Sequence, residues 1–314
     1  MAARDRWFSQ AILLLRVKVL QLSDRSIRPG ATVDFTLLER DLHYRSTHIQ
    51  TPDGLTIAVQ DWGEGSGRRD VLFIHGFSQS HLCWLKQVSG KMSKVFRLVT
   101  YDNRGHGMSD KPMEPAFYRD PQRWADEVNA VITGSDLHRP ILVVWSYAGR
   151  IALDYLTHYG DEGISGLVMV CATSSAGPGT AGPAAPLMRA MAERELAPSV
   201  EASVQFGRAC FTTPPPQAEM EVFLACSAVT PNSVREALVG RPAEYAETLQ
   251  KIDVPTLVIH GEQDRVLLPA TAEHTARMVK NAKLLVYEGI GHTPFWEASD
   301  RFDADVTAFI ESTT

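Results

Sequence analysis

Short apolar runs recur along the chain near 43–50, 55–62, 71–75, 96–101, 141–145, 166–171, 255–260 and 283–288, and they predict eight strands. Asp53-Gly54 fits a hairpin turn joining the first two. Between the later runs, apolar positions return at helical spacing, predicting helices over roughly 79–92, 121–137, 147–159, 271–280 and 298–311. Strands alternating with helices require a mostly parallel sheet covered on both faces. The expected class is therefore α/β, a mostly parallel eight-stranded sheet flanked by helices. Ligands of such sheets bind at the carboxyl ends of the strands.

The stretch 174–250 breaks this rhythm. It opens on Gly177-Pro-Gly-Thr-Ala-Gly-Pro-Ala-Ala-Pro186, a turn-rich linker. Helical patterns follow near 187–196, 199–210, 217–228 and 232–247, with Pro214-Pro-Pro216 as a break. This segment is expected to be an inserted helical cap, dividing the sheet core into 41–173 and 251–314. Leu187, Met188, Met191, Phe206, Phe211, Phe223 and Leu224 give it an apolar side. Most of these pack the cap onto the sheet. Some, with Met188, Met191, Phe206 and Phe211 as candidates, line a pocket beneath it.

Residues 1–40 form an N-terminal extension expected to be helical. Its apolar run Ala11–Leu22 is interrupted by Arg16 and Lys18 and is shorter than the ~20 residues that span a bilayer. No signal-peptide cleavage pattern follows it. Residues 1–30 carry six Lys/Arg against two Asp, opposite to the chain as a whole. Packing on the body or on a neighbouring subunit of a homodimer is the first expectation, and a weak membrane-surface anchor the alternative.

The 314 residues are 44% hydrophobic and 22% charged, enough apolar surface to bury one sheet on both faces. A net charge of −6 gives no reason to expect nucleic acid as a partner. Cys83, Cys171, Cys210 and Cys226 show neither CxxC nor zinc-ligand spacing, so free thiols in a reducing, cytoplasmic setting are expected.

Candidate chemistry centres on Ser146, in Val143-Val-Trp-Ser-Tyr-Ala-Gly-Arg150 between an apolar strand and a predicted helix. A strand, a sharp turn carrying a serine and a helix hold one hydroxyl clear of the backbone. A serine capping a helix start is the plainer reading of the same residues. Ala148, two residues on, suits the crowded turn, whereas Val144 stands where a glycine is usual. Two further segments follow in order. Leu257-Val-Ile-His-Gly-Glu-Gln-Asp264 delivers a carboxylate past a buried strand, and Glu288-Gly-Ile-Gly-His292 places a histidine in a glycine-flanked loop. Ser…Asp…His is one of the orders in which a catalytic triad occurs. A serine hydroxyl is a poor nucleophile until a base takes its proton. His292 is the candidate base, with Asp264 fixing its tautomer. Asp102 is a weaker candidate for the acid, and His106 and His260 read as structural. Phe73-Ile-His75-Gly76-Phe77 ends a strand in His-Gly, so the oxyanion donors are expected to be the backbone N–H groups of Phe77 and Tyr147. Trp145 is expected on the pocket wall.

With these segments, and with Tyr101-Asp-Asn-Arg-Gly-His-Gly-Met-Ser109 after the fourth strand, the chain resembles the α/β-hydrolase superfamily from about His43 to Ile310. The closest-looking subgroup is the small esterases and cofactor-free haloperoxidase-like enzymes. The resemblance implies a cofactor-free serine hydrolase acting on an apolar carboxylic ester or lactone through an acyl-enzyme. Alternatives on the same fold are C–C bond hydrolysis of a diketone, perhydrolysis or halogenation as a side activity, and a ligand-binding receptor. Serine rather than aspartate at 146 removes the alkyl-enzyme route of related dehalogenases and epoxide hydrolases. No GxxxxGK loop followed by Ser or Thr, no strand-linked GxGxxG, and no HxxxH or HxH pair points to a nucleotide or a metal.

Overall fold

In the computed structural model, which describes residues 44–63, 68–175 and 179–313, eight strands form one sheet. They are β1 (Arg45–Gln50), β2 (Thr56–Asp61), β3 (Asp70–Ile74), β4 (Arg97–Tyr101), β5 (Ile141–Trp145), β6 (Gly166–Val170), β7 (Thr256–Gly261) and β8 (Ala282–Tyr287). The spatial order is β1-β2-β4-β3-β5-β6-β7-β8. Only the β1–β2 and β2–β4 pairs are antiparallel; every pairing from β4 to β8 is parallel. The extension assigned to 1–40, and the dimer contact assigned to it, lie outside the described residues.

The central strands are almost wholly apolar because helices cover both faces. β3, β5 and β6 are buried at every position. Among the covering helices, α1 (Pro121–Gly134) starts where the Asp120 side chain accepts from the Gln122 N–H and Pro121 needs no donor. Next to it packs α2 (Ala148–Tyr159). The helix expected over 79–92 is instead three short turns, His81–Trp84, Leu85–Val88 and Met92–Val95. The Ser89 hydroxyl bonds back to the Leu85 carbonyl and Gly90 follows, so the helix stops there.

Between β6 and β7 five helices are inserted: α3 (Pro186–Ala190), α4 (Leu196–Ala209), α5 (Gln217–Ala228), α6 (Asn232–Val239) and α7 (Ala246–Gln250). The pattern at 187–196 stops at Ala190, and α4 starts at Leu196 rather than at 199. Pro198 falls in its first turn, where its missing N–H costs nothing. The pattern at 232–247 is split, since Pro242 cannot donate and disfavours helical geometry at Arg241. The break has a use. It turns Arg241 toward α2, where the buried guanidinium pairs with Asp154, and the Tyr245 hydroxyl donates to the same carboxylate at 2.7 Å.

After β7 come α8 (Ala270–Met278), β8, the short α9 (Pro294–Glu297) and α10 (Ser299–Ser312). All four cysteines are buried and unpaired. Among the described residues no helix is long and apolar enough to cross a membrane.

Candidate active site

Past β5 the chain turns abruptly. Ser146 has φ 57°, its N–H donates to the Val170 carbonyl, and its own carbonyl accepts from Gly149 and Thr173. A non-glycine residue in this left-handed region costs about 1–2 kcal/mol, so the turn holds strain that the surrounding bonds must sustain. Val144, despite its bulk, sits fully buried in register with Ile74 and Met169. The loop after β3 comes close beside the turn: a Cβ on Gly76 would lie 2.9 Å from Ser146 Cβ and 3.1 Å from the Trp145 carbonyl. Only glycine fits there.

The Ser146 hydroxyl meets His292, with Oγ 2.8 Å from Nε2, and His292 Nδ1 lies 2.7 Å from Asp264 Oδ2. Asp264 is buried in the turn after β7, where its Oδ1 accepts the N–H groups of Val266 and Leu267. Burial alone would raise this carboxyl, but His292 and His260 beside it hold it well below the usual carboxylate range. The ionised acid accepts Nδ1–H from His292, which leaves the Nε2 lone pair facing the Ser146 hydroxyl. That tautomer suits proton removal from the serine.

The His292 loop is tied down on two sides. Its N–H donates to the Cys210 carbonyl at 2.9 Å, and its carbonyl accepts the Trp145 indole N–H at 2.8 Å. Glu297 accepts Gly291 N–H on one oxygen and the N–H groups of Thr212 and Thr213 on the other. The parts played here by Glu297, Cys210 and Thr212 are not legible in the sequence, because each bond has a backbone group on at least one side and leaves no side-chain motif. Trp145 is buried behind the histidine, ring centroids 5.5 Å apart, with Phe295 edge-on at 5.0 Å.

Among the described residues neither the Phe77 nor the Tyr147 N–H donates to a protein acceptor. The peptide that carries the Phe77 N–H is fixed from its other side. Asn103 N–H donates to His75 Nε2, so in the neutral ring the hydrogen stands on Nδ1 and is donated to the Gly76 carbonyl at 2.9 Å. The next N–H, of Ser78, donates to His106 Nε2 at 3.2 Å, and the Ser78 hydroxyl accepts from Arg235. The Tyr147 ring lies beneath the Arg241 guanidinium and edge-on to Trp124, and its hydroxyl donates to the Leu238 carbonyl.

Of the pocket candidates, Phe206 is brought edge-on to Phe77 with ring centroids 6.3 Å apart. Phe211 packs on Phe223, which in turn meets Trp145. Met191 is buried at the end of α3, where its carbonyl receives Arg235, and Met188 on the same helix is half-buried. Asp102 stands apart from Ser146 with its own histidine, His81, at 2.9 Å. One trio, Cys171, His260 and Asp264, brings potential metal-ligand atoms within 4.8 Å of one another. Both Asp264 oxygens there already accept two donors each.

Burial pushes His75 down to about 4 and His106 down to about 3, so both stay uncharged in the fold. Their unfolded counterparts take up protons below about 6.5. Stability present above that pH is therefore lost as pH falls toward 4, at up to about 1.4 kcal/mol per pH unit for each ring. Thermal unfolding followed from pH 7.5 to 4.5 should show a steadily falling midpoint. A flat midpoint would mean that these rings are protonated in the folded state.

The model of the Alpha/beta hydrolase family matches residues 71–305. An esterase of known structure from Rhodococcus sp. ECU1013 superposes with a TM-score of 0.81 at 31% identity, over 86% of this chain and 99% of the other. An esterase from Exiguobacterium antarcticum superposes at 0.74 with 25% identity, over 85% and 100% of the two chains. A non-heme chloroperoxidase of Kitasatospora aureofaciens is 28% identical over 276 residues, covering 83% of this chain and 98% of its own.

Proposed function

The chain belongs to the alpha/beta hydrolase family, and on that premise we propose that it is a serine hydrolase cleaving the carboxylic ester or lactone of an apolar small molecule. The observation that carries this reading is the unbroken Ser146–His292–Asp264 chain of short hydrogen bonds at a strained strand-to-helix turn. Ser146 Oγ attacks the carbonyl carbon as His292 Nε2 takes the hydroxyl proton. The negative charge that develops on the carbonyl oxygen is met by the N–H groups of Phe77 and Tyr147, each worth about 3 kcal/mol. Collapse breaks the ester C–O bond, His292 gives its proton to the leaving alkoxide, and the acyl group remains on Ser146. In a lactone the alcohol stays tethered to the acyl group. Water, deprotonated by the same histidine, then releases the acid.

The helices of 174–250 act as the lid in this reading, with Phe206 set against Phe77 as an apolar wall. A panel of chromogenic esters of increasing acyl length, lactones included, with Ser146→Ala as blank, tests it. Hydrolysis of apolar acyl groups above the blank is expected. A panel at the level of the blank throughout would reject it. Likeness to a chloroperoxidase favours perhydrolysis as a second outlet: hydrogen peroxide in place of water would release a peracid from the same acyl-enzyme. Peracid formed from an ester with added peroxide, and lost in Ser146→Ala, is its signature.

A further inference from the structure

Asp264 carries two histidines. Its Oδ2 accepts from His292 and lies 3.2 Å from Nε2 of His260, four residues earlier on β7. The same Nε2 lies 2.9 Å from the Leu267 carbonyl. A carboxylate and a carbonyl only accept, so the His260 hydrogen stands on Nε2 and is shared between them. Leu267 also gives its N–H to Asp264 Oδ1. His260, Leu267 and Asp264 thus close a ring of hydrogen bonds that stops the carboxylate from rotating. The other ring nitrogen, Nδ1, is buried and has no partner among the described residues. An orphaned buried acceptor is costly, and a leucine, like the apolar Leu257, Val258 and Ile259 before it, would avoid that cost.

We propose that His260 is a positioning residue for the acid of the site: its Nε2–H fixes the plane of the Asp264 carboxylate and withdraws charge from the oxygen that faces His292. This rests on the reading of Ser146, His292 and Asp264 as a catalytic group. With the N–H removed, Oδ2 holds more charge and the imidazolium form of His292 is favoured. The acid limb of the reaction of Ser146 is then expected at a higher pH than in the wild type. The other titratable groups around Asp264 are the thiols of Cys171 and Cys210, both pushed up by burial and by the carboxylate itself, and Glu297 beyond Gly291. None of them changes in the variants below.

The test is the rate at which a fluorophosphonate labels Ser146 as a function of pH, in the wild type, His260→Leu and His260→Gln. It needs no knowledge of the substrate. In His260→Leu the acid limb is expected to move up by about 0.5–1 pH unit, and the plateau to fall on the order of tenfold, the size of one hydrogen bond to a charged group. His260→Gln, whose amide nitrogen lies as many bonds from the backbone as Nε2, restores the limb. A limb unmoved in His260→Leu, or moved equally in His260→Gln, overturns the proposal and leaves His260 a packing residue. Nitrogen NMR of the wild type is independent of whether the variants fold: an Nε2–H tautomer at His260 is expected, and Nδ1–H overturns it. Wild-type enzyme unlabelled at Ser146 would instead bring down the catalytic reading itself, whereas labelling with no response to His260→Leu fails this inference alone.

Discussion

Ser146→Ala is expected to lower ester turnover by about 10⁶-fold, the loss seen when the serine of such a triad is removed, and to leave the protein folded. The side chain is nearly buried and its hydroxyl has one partner, His292, so deletion of Oγ opens little space. A second variant separates chemistry from backbone strain. Ser146 sits at φ 57°, in the left-handed region. Ser146→Gly removes the left-handed penalty, and glycine is favoured over alanine at such a position. It should therefore unfold at a higher temperature than Ser146→Ala while being equally inactive. Fluorophosphonate labelling and thermal unfolding read the two effects. Labelling that persists in either variant would move the nucleophile to another residue, and a lower unfolding temperature for Ser146→Gly would mean that the turn is unstrained.

The fold was legible because the chain's punctuation is strong: eight apolar runs, each ended by polar or turn residues, became the eight strands. Helices were legible where a side-chain cap or a long amphipathic stripe marked them, as at Asp120 before α1. They were misjudged where apolar spacing continued past a local stop. At Ser89-Gly90 and at Arg241-Pro242 backbone geometry overrode periodicity. Ser146 and Asp264 could be singled out because each stands in a turn just past a buried strand, and His292 because it stands in a glycine-flanked loop after the half-exposed β8. What the sequence did not disclose is how the helices of 174–250 grip that group. The Cys210 carbonyl on the His292 N–H, Arg235 on Ser78, and Arg241 over Tyr147 join residues far apart in the chain. Two of the three are made by an arginine that in the sequence is one cation among many.

Two buried aspartates pair with histidine, Asp264 with His292 and His260 and Asp102 with His81, and amide substitution should tell them apart by very different losses. Asp264→Asn is expected to cut turnover by about 10⁴-fold, as in the well-studied triad. The structure says why the amide cannot adapt. Val266 and Leu267 both donate to Oδ1, so the asparagine oxygen must stay on that side and its NH2 must face His292 and His260. A donor now confronts Nδ1, and His292 is driven to carry its hydrogen on Nε2, the nitrogen that should accept from Ser146. Asp102 has a structural task instead. Oδ1 takes His81 through both N–H and ring, Oδ2 takes Met108 N–H, and a Cβ on Gly107 would fall 2.1 Å from the Asp102 carboxyl carbon. That packing secures the loop 102–109, and the Asp102–His81 pair has no part in the hydrogen-bonded chain that ends on Ser146. Asp102→Asn should lower the unfolding temperature, through a donor set against backbone N–H groups, and keep turnover within about tenfold of wild type, less than one hydrogen bond to a transition-state charge. Steady-state turnover and melting of the two variants side by side decide the matter. A larger loss of turnover in Asp102→Asn than in Asp264→Asn would exchange their roles and make His81 the histidine to follow.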